Sequence, residues 1–177
     1  AAELSTKIAA VKAWLYTDLD RYHQLTDTYN PNFYRKAVFA GKLDIEDELN
    51  RIGLFTVSFS SLPFQYSEEG GMQTEYATGD TVNNPYPFPS KPYIKVYGSG
   101  EGTLTLQSAS HNSTWKFLEL DGYLEIDSEQ MNFYKEAMPK NDLVEGSGFP
   151  VLYPGENAIT FTGGITKIEI EPRWQTL

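Results

Sequence analysis

The first hydrophobic pattern along the chain is helical. Leu4, Ile8, Val11 and Leu15 are separated by four, three and four positions, which places them on one face of an α-helix. The alanines between them favour a helix by intrinsic propensity. The pattern predicts an amphipathic helix that begins near the start of the chain and ends within residues 17–20.

The pattern then changes to the alternation of β-strands. A strand is predicted over residues 34–40, ending at a glycine, and a second over residues 54–60. In the second, aromatic and aliphatic side chains alternate with hydroxyl side chains, as in a half-buried strand of an antiparallel sheet. Between them, residues 44–49 fit either a short helical turn or a loop.

Residues 67–92 differ in composition from the segments on either side. They are rich in Gly, Asn, Thr, Ser and Pro, and proline at this density disfavours both helix and central strand. Short strands fit only at 72–76 and 80–83. The change predicts a domain boundary, with a first domain over residues 1–66 and a second over residues 67–177.

Strand patterns recur at short intervals after the boundary. We predict strands at 93–97, 102–107, 113–120, 122–126, 158–162 and 165–170. Asp121-Gly122 is a type I′ hairpin pattern, Gly163-Gly164 predicts another reversal, and the glycines of residues 98–102 predict a flexible hairpin tip. A helix is predicted over residues 128–137, with Asp127 or Ser128 as its cap.

These elements together predict a mainly β protein. Its second domain is an antiparallel β-sandwich, because short strands with regular turns are typical of that fold. The sandwich is preceded by part of an α+β domain with one helix. Since the chain opens in a helical pattern without an initiator Met, we expect it to be a piece of a longer protein.

Composition narrows the functional classes. The 177 residues carry a formal charge of −10, which argues against nucleic acid and anionic membrane as main partners. The absence of cysteine excludes disulfides, thiolate metal sites and cysteine nucleophiles. No apolar run reaches the roughly 18 residues of a transmembrane helix.

The sequence contains little that predicts catalysis. His23 and His111 are its two histidines, and neither accompanies a Gly-x-Ser-x-Gly motif or a metal-ligand set. The glycines at 98–102 lack the Lys-Ser/Thr of a phosphate loop. We therefore predict no catalytic, cofactor or metal site.

Four carboxylates surround the predicted Asp121-Gly122 hairpin: Glu119, Asp121, Glu125 and Asp127. Two of them on one strand face can act as a glycosidase pair or hold Ca²⁺. Their alternation with Leu124 and Ile126 more simply indicates a hydrated acidic face of the sheet.

Aromatic residues give the one candidate binding surface. Tyr93, Tyr97, Trp115 and Tyr123, together with Trp174, can form a platform on which a sugar stacks or a partner docks. The alternative is that these side chains fill the core of the sandwich.

Several segments also resemble one protein family, in the same order along the chain. They are residues 41–45, 49–59, 62–66, 90–100, 123–129, 149–161 and the terminal stretch 167–177 that contains Pro172-Arg173-Trp174. Together they resemble the distal tail (Dit) proteins of siphophages and prophages of Gram-positive bacteria. The resemblance covers most of the chain.

The resemblance implies a fold and a role. It implies an N-terminal ring-forming domain, whose latter part is residues 1–66, and a galectin-like or jelly-roll sandwich over 67–177. It implies a structural hub of the virion tail, assembled in the bacterial cytoplasm as a hexameric ring between tail tube and tip or baseplate. The implied partners are tail tube, tape-measure, tip and receptor-binding proteins, with no cofactor. The rival hypothesis is a carbohydrate-binding module that recognises host polysaccharide.

Overall fold

The computed structural model describes residues 2–41, 56–146 and 148–177. They fall into two compact units, Ala1–Gln65 and Tyr66–Leu177. The prediction for residues 44–49 and the beginning of the strand predicted at 54–60 lie outside the described residues.

The first unit contains the predicted helix. Helix α1 spans Ala2–Leu15, and strands β1, β2 and β3 span His23–Thr26, Phe33–Phe39 and Phe59–Ser67. The strands are neighbours in the order β1-β2-β3, with β1 and β2 antiparallel. The helix buries Ile8 and Leu15 against Phe39, and the partly buried Val11 and Phe59 pack on this cluster. The helix predicted from the spacing of these apolar residues is confirmed.

The second unit is built from three long strands and several short ones. The long strands are β6 (Tyr93–Gln107), β7 (Asn112–Asp127) and β11 (Gly155–Glu171). The short strands are β4 (Thr74–Tyr76), β5 (Thr81–Asn84), β8 (Asn132–Lys135), β9 (Met138–Pro139), β10 (Val144–Gly146) and β12 (Gln175–Thr176). Neighbouring strands follow the order β4-β11-β6-β7-β8-β9, with β5 also on β11 and β10 also on β7.

The turns predicted inside the long strands are wrong. The glycines at 98–102, Asp121-Gly122 and Gly163-Gly164 all lie within continuous strands. The pairing of β6 with its neighbours shifts register beside Gly100 and Gly163, as at β-bulges. Gly100 and Gly163 have φ of 74° and 71°, a left-handed backbone that favours glycine. The glycines therefore bend the strands without reversing them.

Two of the long strands, β7 and β11, have halves with different outer partners. In β11, residues 155–158 pair with β5 and residues 168–170 pair with β4. In β7, residues 115–117 pair with β10 and residues 125–127 pair with β8. Both halves contribute to one apolar cluster, which includes Leu104, Trp115, Phe117, Ile159, Ile94, Val96, Ile126, Ile168 and Ile170. The prediction of a mainly β, antiparallel fold with one helix is confirmed.

The helix predicted over residues 128–137 is also wrong. The Asp127 carboxylate accepts hydrogen bonds from the amides of Glu129 and Gln130, which forms a turn in place of a helix cap. Met131 then adopts φ of 52°, and β8 returns along β7. Tertiary pairing with β7 therefore outweighs the local helical pattern.

Separate expression of residues 1–65 and 66–177 tests the predicted domain division. We expect the second piece to unfold in a single cooperative thermal transition, because its core cluster is made entirely within it. Circular dichroism melts of both pieces would measure this. A cooperative transition confined to residues 1–65 would contradict the prediction.

Candidate functional site

The structure separates the predicted aromatic platform into two groups. Tyr93 and Tyr97 on β6 and Tyr123 on β7 are half-buried and alternate with core residues such as Ile94 and Val96. They therefore lie together on the outer face of one half of the bent sheet.

The second group consists of Trp115 and Trp174, which lie in the core. The Trp115 side chain is 1% exposed, and its indole N–H donates a hydrogen bond to the carbonyl of Gly148 at 2.9 Å. Trp174 is buried as well. Neither indole therefore has a free face for a sugar, and the core interpretation describes both tryptophans.

Charged residues alternate with the three tyrosines across the strands. We call the set formed by Tyr93, Lys95, Tyr97, Tyr123, Glu125, Lys167 and Glu169 the outer tyrosine face. The strand register sets Tyr97 opposite both Lys167 and Tyr123. It likewise sets Lys95 opposite both Glu169 and Glu125. This arrangement brings every cation of the face close to an aromatic ring or a carboxylate.

The rings of Tyr97 and Tyr123 and the hydroxyls of Tyr93 and Tyr97 are engaged within the chain. The Lys95 Nζ lies 4.0 Å from the ring centroid of Tyr123 and 5.4 Å from that of Tyr97. The Lys167 Nζ lies 4.7 Å from the Tyr97 centroid. The Tyr97 hydroxyl donates to Glu169 at 2.8 Å. These contacts are cation–π interactions and charge-assisted hydrogen bonds, which order the face and cover the ring surfaces.

Protonation states follow from the same contacts. Burial, followed by the hydrogen bond of its hydroxyl to Glu125, raises the pKa of Tyr93 well above its ordinary value. The hydrogen bond from Tyr97, with help from Lys167, lowers the pKa of Glu169 despite an opposing contribution from desolvation. Tyr93 and Tyr97, whose pKa values are raised, therefore stay neutral, and Glu169 stays ionised at neutral pH.

The four carboxylates of residues 119–127 lie in different environments. Glu119 and Asp121 are exposed, and Asp121 pairs with Lys135 at 3.1 Å. The Asp127 side chain is buried and accepts two hydrogen bonds from the Arg173 guanidinium, at 2.9 and 3.1 Å. Burial opposes ionisation of Asp127, but Arg173 and two backbone amides together lower its pKa. A carboxyl held ionised in this way is unsuited to the role of general acid.

Arg173 is the residue that sequence reasoning missed. It lies 46 positions from Asp127, so no local pattern connects the two. It has φ of 54°, its amide donates to the carbonyl of Gly70 at 2.7 Å, and its guanidinium also contacts Glu171 at 3.2 Å. The positively charged residue in the terminal Pro-Arg-Trp sequence was the available signal.

Replacement of Arg173 tests this ion pair. Arg173→Ala is expected to lower the free energy of unfolding by about 2–3 kcal/mol, because it leaves the buried Asp127 charge without its cation. The matched control is Lys116→Ala, which removes an exposed pair with Glu101 and is expected to cost less than about 1 kcal/mol. Urea unfolding at about pH 7 measures both.

Acid provides a second readout of the same pair. Because the folded pKa of Asp127 is lowered, its stabilising contribution is present above its unfolded pKa of about 3.9 and is lost as pH falls through the folded value. Acidification should therefore narrow the stability difference between the native chain and Arg173→Ala. A difference that does not change with pH, or equal losses for Arg173→Ala and Lys116→Ala, would contradict this assignment.

The two histidines belong to different units. His23 contacts the carbonyl oxygen of Asp18, while the ring of His111 stacks on Tyr153 in the second unit. Within the residues that the structure describes, no three His, Cys, Asp or Glu side chains are grouped so as to hold a metal ion.

Cavities in the two units are modest. One of about 290 Å³ lies in the first unit between α1 and the strands, lined in part by Trp14, Leu25 and Phe39. Another of about 140 Å³ lies in the second unit beside Tyr123 and Lys135.

Across residues 2–41, 56–146 and 148–177, none of the helices has the length and hydropathy that crossing a bilayer requires.

The fold of the chain is similar to that of a solved protein structure. No family model matches the chain, and no curated protein matches it. The crystal structure of the Dit protein of phage SPP1 matches with a TM-score of 0.65 and 16% sequence identity, covering 99% of this chain and 73% of that one. SPP1 Dit is described as a paradigm of the hub of the adsorption apparatus in phages that infect Gram-positive bacteria. The chain therefore has the fold of SPP1 Dit, which confirms the structural resemblance predicted from its sequence.

Proposed function

We propose that the chain is a structural component of a phage or prophage tail, a hub that joins the tail tube to the tip or baseplate. The observation that carries the proposal is the match to SPP1 Dit over nearly the whole chain.

The polar chemistry of the second unit supports a structural role. The hydroxyls of Tyr93 and Tyr97 bond to carboxylates of the same face, and Asp127 is held by Arg173. Such groups stabilise a surface and leave no nucleophile or acid–base pair poised on it. We infer that the protein is not an enzyme and acts through its contacts with tail tube, tape-measure, tip and receptor-binding proteins.

The proposed assembly is a closed ring, with six copies as the expected number. A repeated heterologous interface must either close or extend into a filament, and a hub at the end of a tube requires closure. The chain spans 73% of the length of SPP1 Dit.

Particle composition provides the test. An antibody raised against the purified chain should label one end of the tail by immunogold in purified particles. Negative-stain images of the purified gene product should show closed rings. Particles that assemble normally without the protein, or a gene product that remains monomeric and absent from particles, would contradict the proposal.

A carbohydrate-binding module is the second candidate function. It is favoured by the centroids of Tyr97 and Tyr123, which lie 6.3 Å apart on an outer face. The lysines over these rings oppose it, because a sugar would have to displace them. Calorimetric titration with host wall polysaccharide decides between a carbohydrate-binding module and a structural tail hub. The carbohydrate-binding function requires saturable binding that Tyr123→Ala abolishes.

A further inference from the structure

The last residues of the second unit return to the segment where that unit begins. We call residues 66–71 the entry segment and residues 172–176 the clasp. The amide of Ser67 donates to the carbonyl of Trp174 at 2.9 Å, and the amide of Arg173 donates to the carbonyl of Gly70 at 2.7 Å. Two backbone hydrogen bonds therefore join segments from opposite ends of the unit.

The clasp also contacts the loop that precedes β6. The hydroxyl of Ser90, whose side chain is fully buried, donates to the carbonyl of Pro172 at 2.7 Å. The side-chain amide of Gln175 donates to the carbonyl of Pro89 at 2.7 Å. The indole of Trp174 packs in the apolar core of the unit. With the ion pair of its arginine, each of the first four clasp residues therefore has a contact of its own outside the clasp.

Arg173 ties the clasp to the end of β7. Its guanidinium lies 2.9 Å from Asp127, 3.2 Å from Glu171 and 3.6 Å from Glu129. Its φ of 54° is a left-handed conformation, which is unfavourable for a residue other than glycine. Such a backbone persists only where the surrounding contacts enforce it. The ion pairs and backbone hydrogen bonds of the clasp therefore depend on one another.

Close packing at Gly70 shows that the entry segment and the clasp are fitted to each other. A Cβ at Gly70 would collide with the backbone nitrogen of Trp174 and would lie 3.2 Å from the carbonyl carbon of Arg173. At the neighbouring Gly71, no atom lies within 4 Å of the same added carbon. The closed clasp therefore requires a glycine at position 70 but not at position 71.

The sheet of the second unit is paired without the clasp. Among the described residues, the pairing of β6 with β7 and β11 extends to Glu171 and includes none of residues 172–176. Local opening of a protein proceeds in contiguous cooperative segments, each with its own free energy. The clasp can therefore detach while the three long strands stay together.

We propose that the clasp is a strap that opens and closes as one unit and that fixes the entry segment on the second unit. Closed, it holds the end of β3 and the turn that follows at a defined place on the unit. Open, it releases both, because the bonds at Ser67 and Gly70 are made to clasp residues. The inference goes beyond the tail role and does not depend on it.

Hydrogen exchange of the 177-residue chain, followed by NMR, tests whether the clasp is one unit. We expect the amides of Ser67 and Arg173 to exchange with the same opening equilibrium, because each donates across the contact between entry segment and clasp. The amide of Leu104, in the middle of the central strand β6, should exchange at least tenfold more slowly.

A core substitution separates local opening from unfolding of the whole unit. Ile159→Val removes one methyl group from a fully buried side chain. It should speed exchange at Leu104 by about two- to tenfold, the range expected from the usual cost of this change. Exchange at Ser67 and Arg173 should not change, because the core stays packed when only the clasp opens.

Substitutions at the entry segment provide the converse test. Gly70→Ala should speed exchange at both Ser67 and Arg173 at least tenfold, because the added carbon disfavours the closed state. The matched control is Gly71→Ala, which adds the same carbon where it meets no atom and should leave both rates unchanged.

A glutamate-specific protease gives a second readout, since the entry segment contains Glu68 and Glu69. Cleavage of an otherwise folded protein follows the population of its open form. Arg173→Ala leaves the cleaved sequence intact and should increase cleavage at these residues at least tenfold, with the site located by mass spectrometry. Lys116→Ala, the exposed ion-pair control, should not.

Four results would overturn the proposal. The first is a different opening equilibrium for Ser67 and Arg173, which would mean that their hydrogen bonds break independently. The second is acceleration of both amides by Ile159→Val, which would mean that the clasp opens only when the whole unit unfolds. The others are equal exchange in Gly70→Ala and Gly71→Ala, and equal cleavage of Arg173→Ala and Lys116→Ala. None of these results bears on the tail role, which the immunogold experiment tests separately.

Discussion

Trp115→Ala is expected to lower the free energy of unfolding of the second unit by about 3–5 kcal/mol, the range measured for large aromatic residues removed from cores. The indole is surrounded by the apolar cluster formed by both halves of the bent sheet. A Cβ at Gly146 on β10 would lie 2.6 Å from the indole Cδ1, so that strand packs directly on the ring. The substitution also leaves the carbonyl of Gly148 without its donor.

Urea unfolding followed by tryptophan fluorescence and circular dichroism measures the effect. The matched control is Trp14→Ala, the same change at a side chain that is 61% exposed, expected to cost less than about 1 kcal/mol. Because we predict that the two units unfold separately, each transition is fitted by itself. Similar losses of unfolding free energy for both variants would contradict the placement of Trp115 in the core and would indicate that its side chain lies on the surface.

Gly164→Ala is expected to destabilise the second unit by about 3 kcal/mol, the upper part of the usual range for overpacking. A Cβ at Gly164 would collide with the carbonyl oxygen of Ser99 on β6, and a Cβ at Gly98 would collide with the carbonyl oxygen of Gly164. The two backbones therefore approach closely where β6 and β11 bend together, beside the register shifts at 163–167. A backbone atom in a paired strand cannot move aside as a flexible side chain can.

Gly71→Ala is the matched control for this substitution. No atom lies within 4 Å of a Cβ built at Gly71, so only the smaller entropy of the unfolded chain changes. We expect it to be neutral or to stabilise the protein by up to about 1 kcal/mol. Chemical denaturation of both variants is the measurement. A neutral Gly164→Ala would show that the strands separate at this point and that the bend is not a fixed feature of the sheet.

Local patterns identified most of the regular structure. The apolar spacing that includes Ile8, Val11 and Leu15 was sufficient to predict α1, and the alternation in the second half of the chain identified segments of β6, β7 and β11 but not the short strands β8, β9, β10 and β12. Both patterns record which side chains face the core, and burial of apolar surface is the main driving force of folding. The same alternation correctly indicated that the acidic residues around β7 lie largely outside the core, although Asp127 is buried beside Arg173.

Local patterns failed where one signal has two structural meanings. A glycine with positive φ is required both in a tight hairpin and at a β-bulge, and Gly163-Gly164 belongs to the second case. The prediction that the aromatic residues form one platform failed for a similar reason. Tyr93 and Trp115 both lie on strands, but which face of the bent sheet each occupies depends on the pairing of whole strands.

The sequence by itself determined the mainly β class of the fold, helix α1, segments of the three long strands and the resemblance to Dit proteins, because each follows from local periodicity or from the order of similar segments. Only the tertiary structure decided that segments predicted as separate strands form single bent strands, that Arg173 neutralises Asp127, and that the Trp115 indole bonds to the carbonyl of Gly148 in the core. These features join residues that are tens of positions apart. No local pattern encodes them, because their energies arise only when the sheet has brought both partners together.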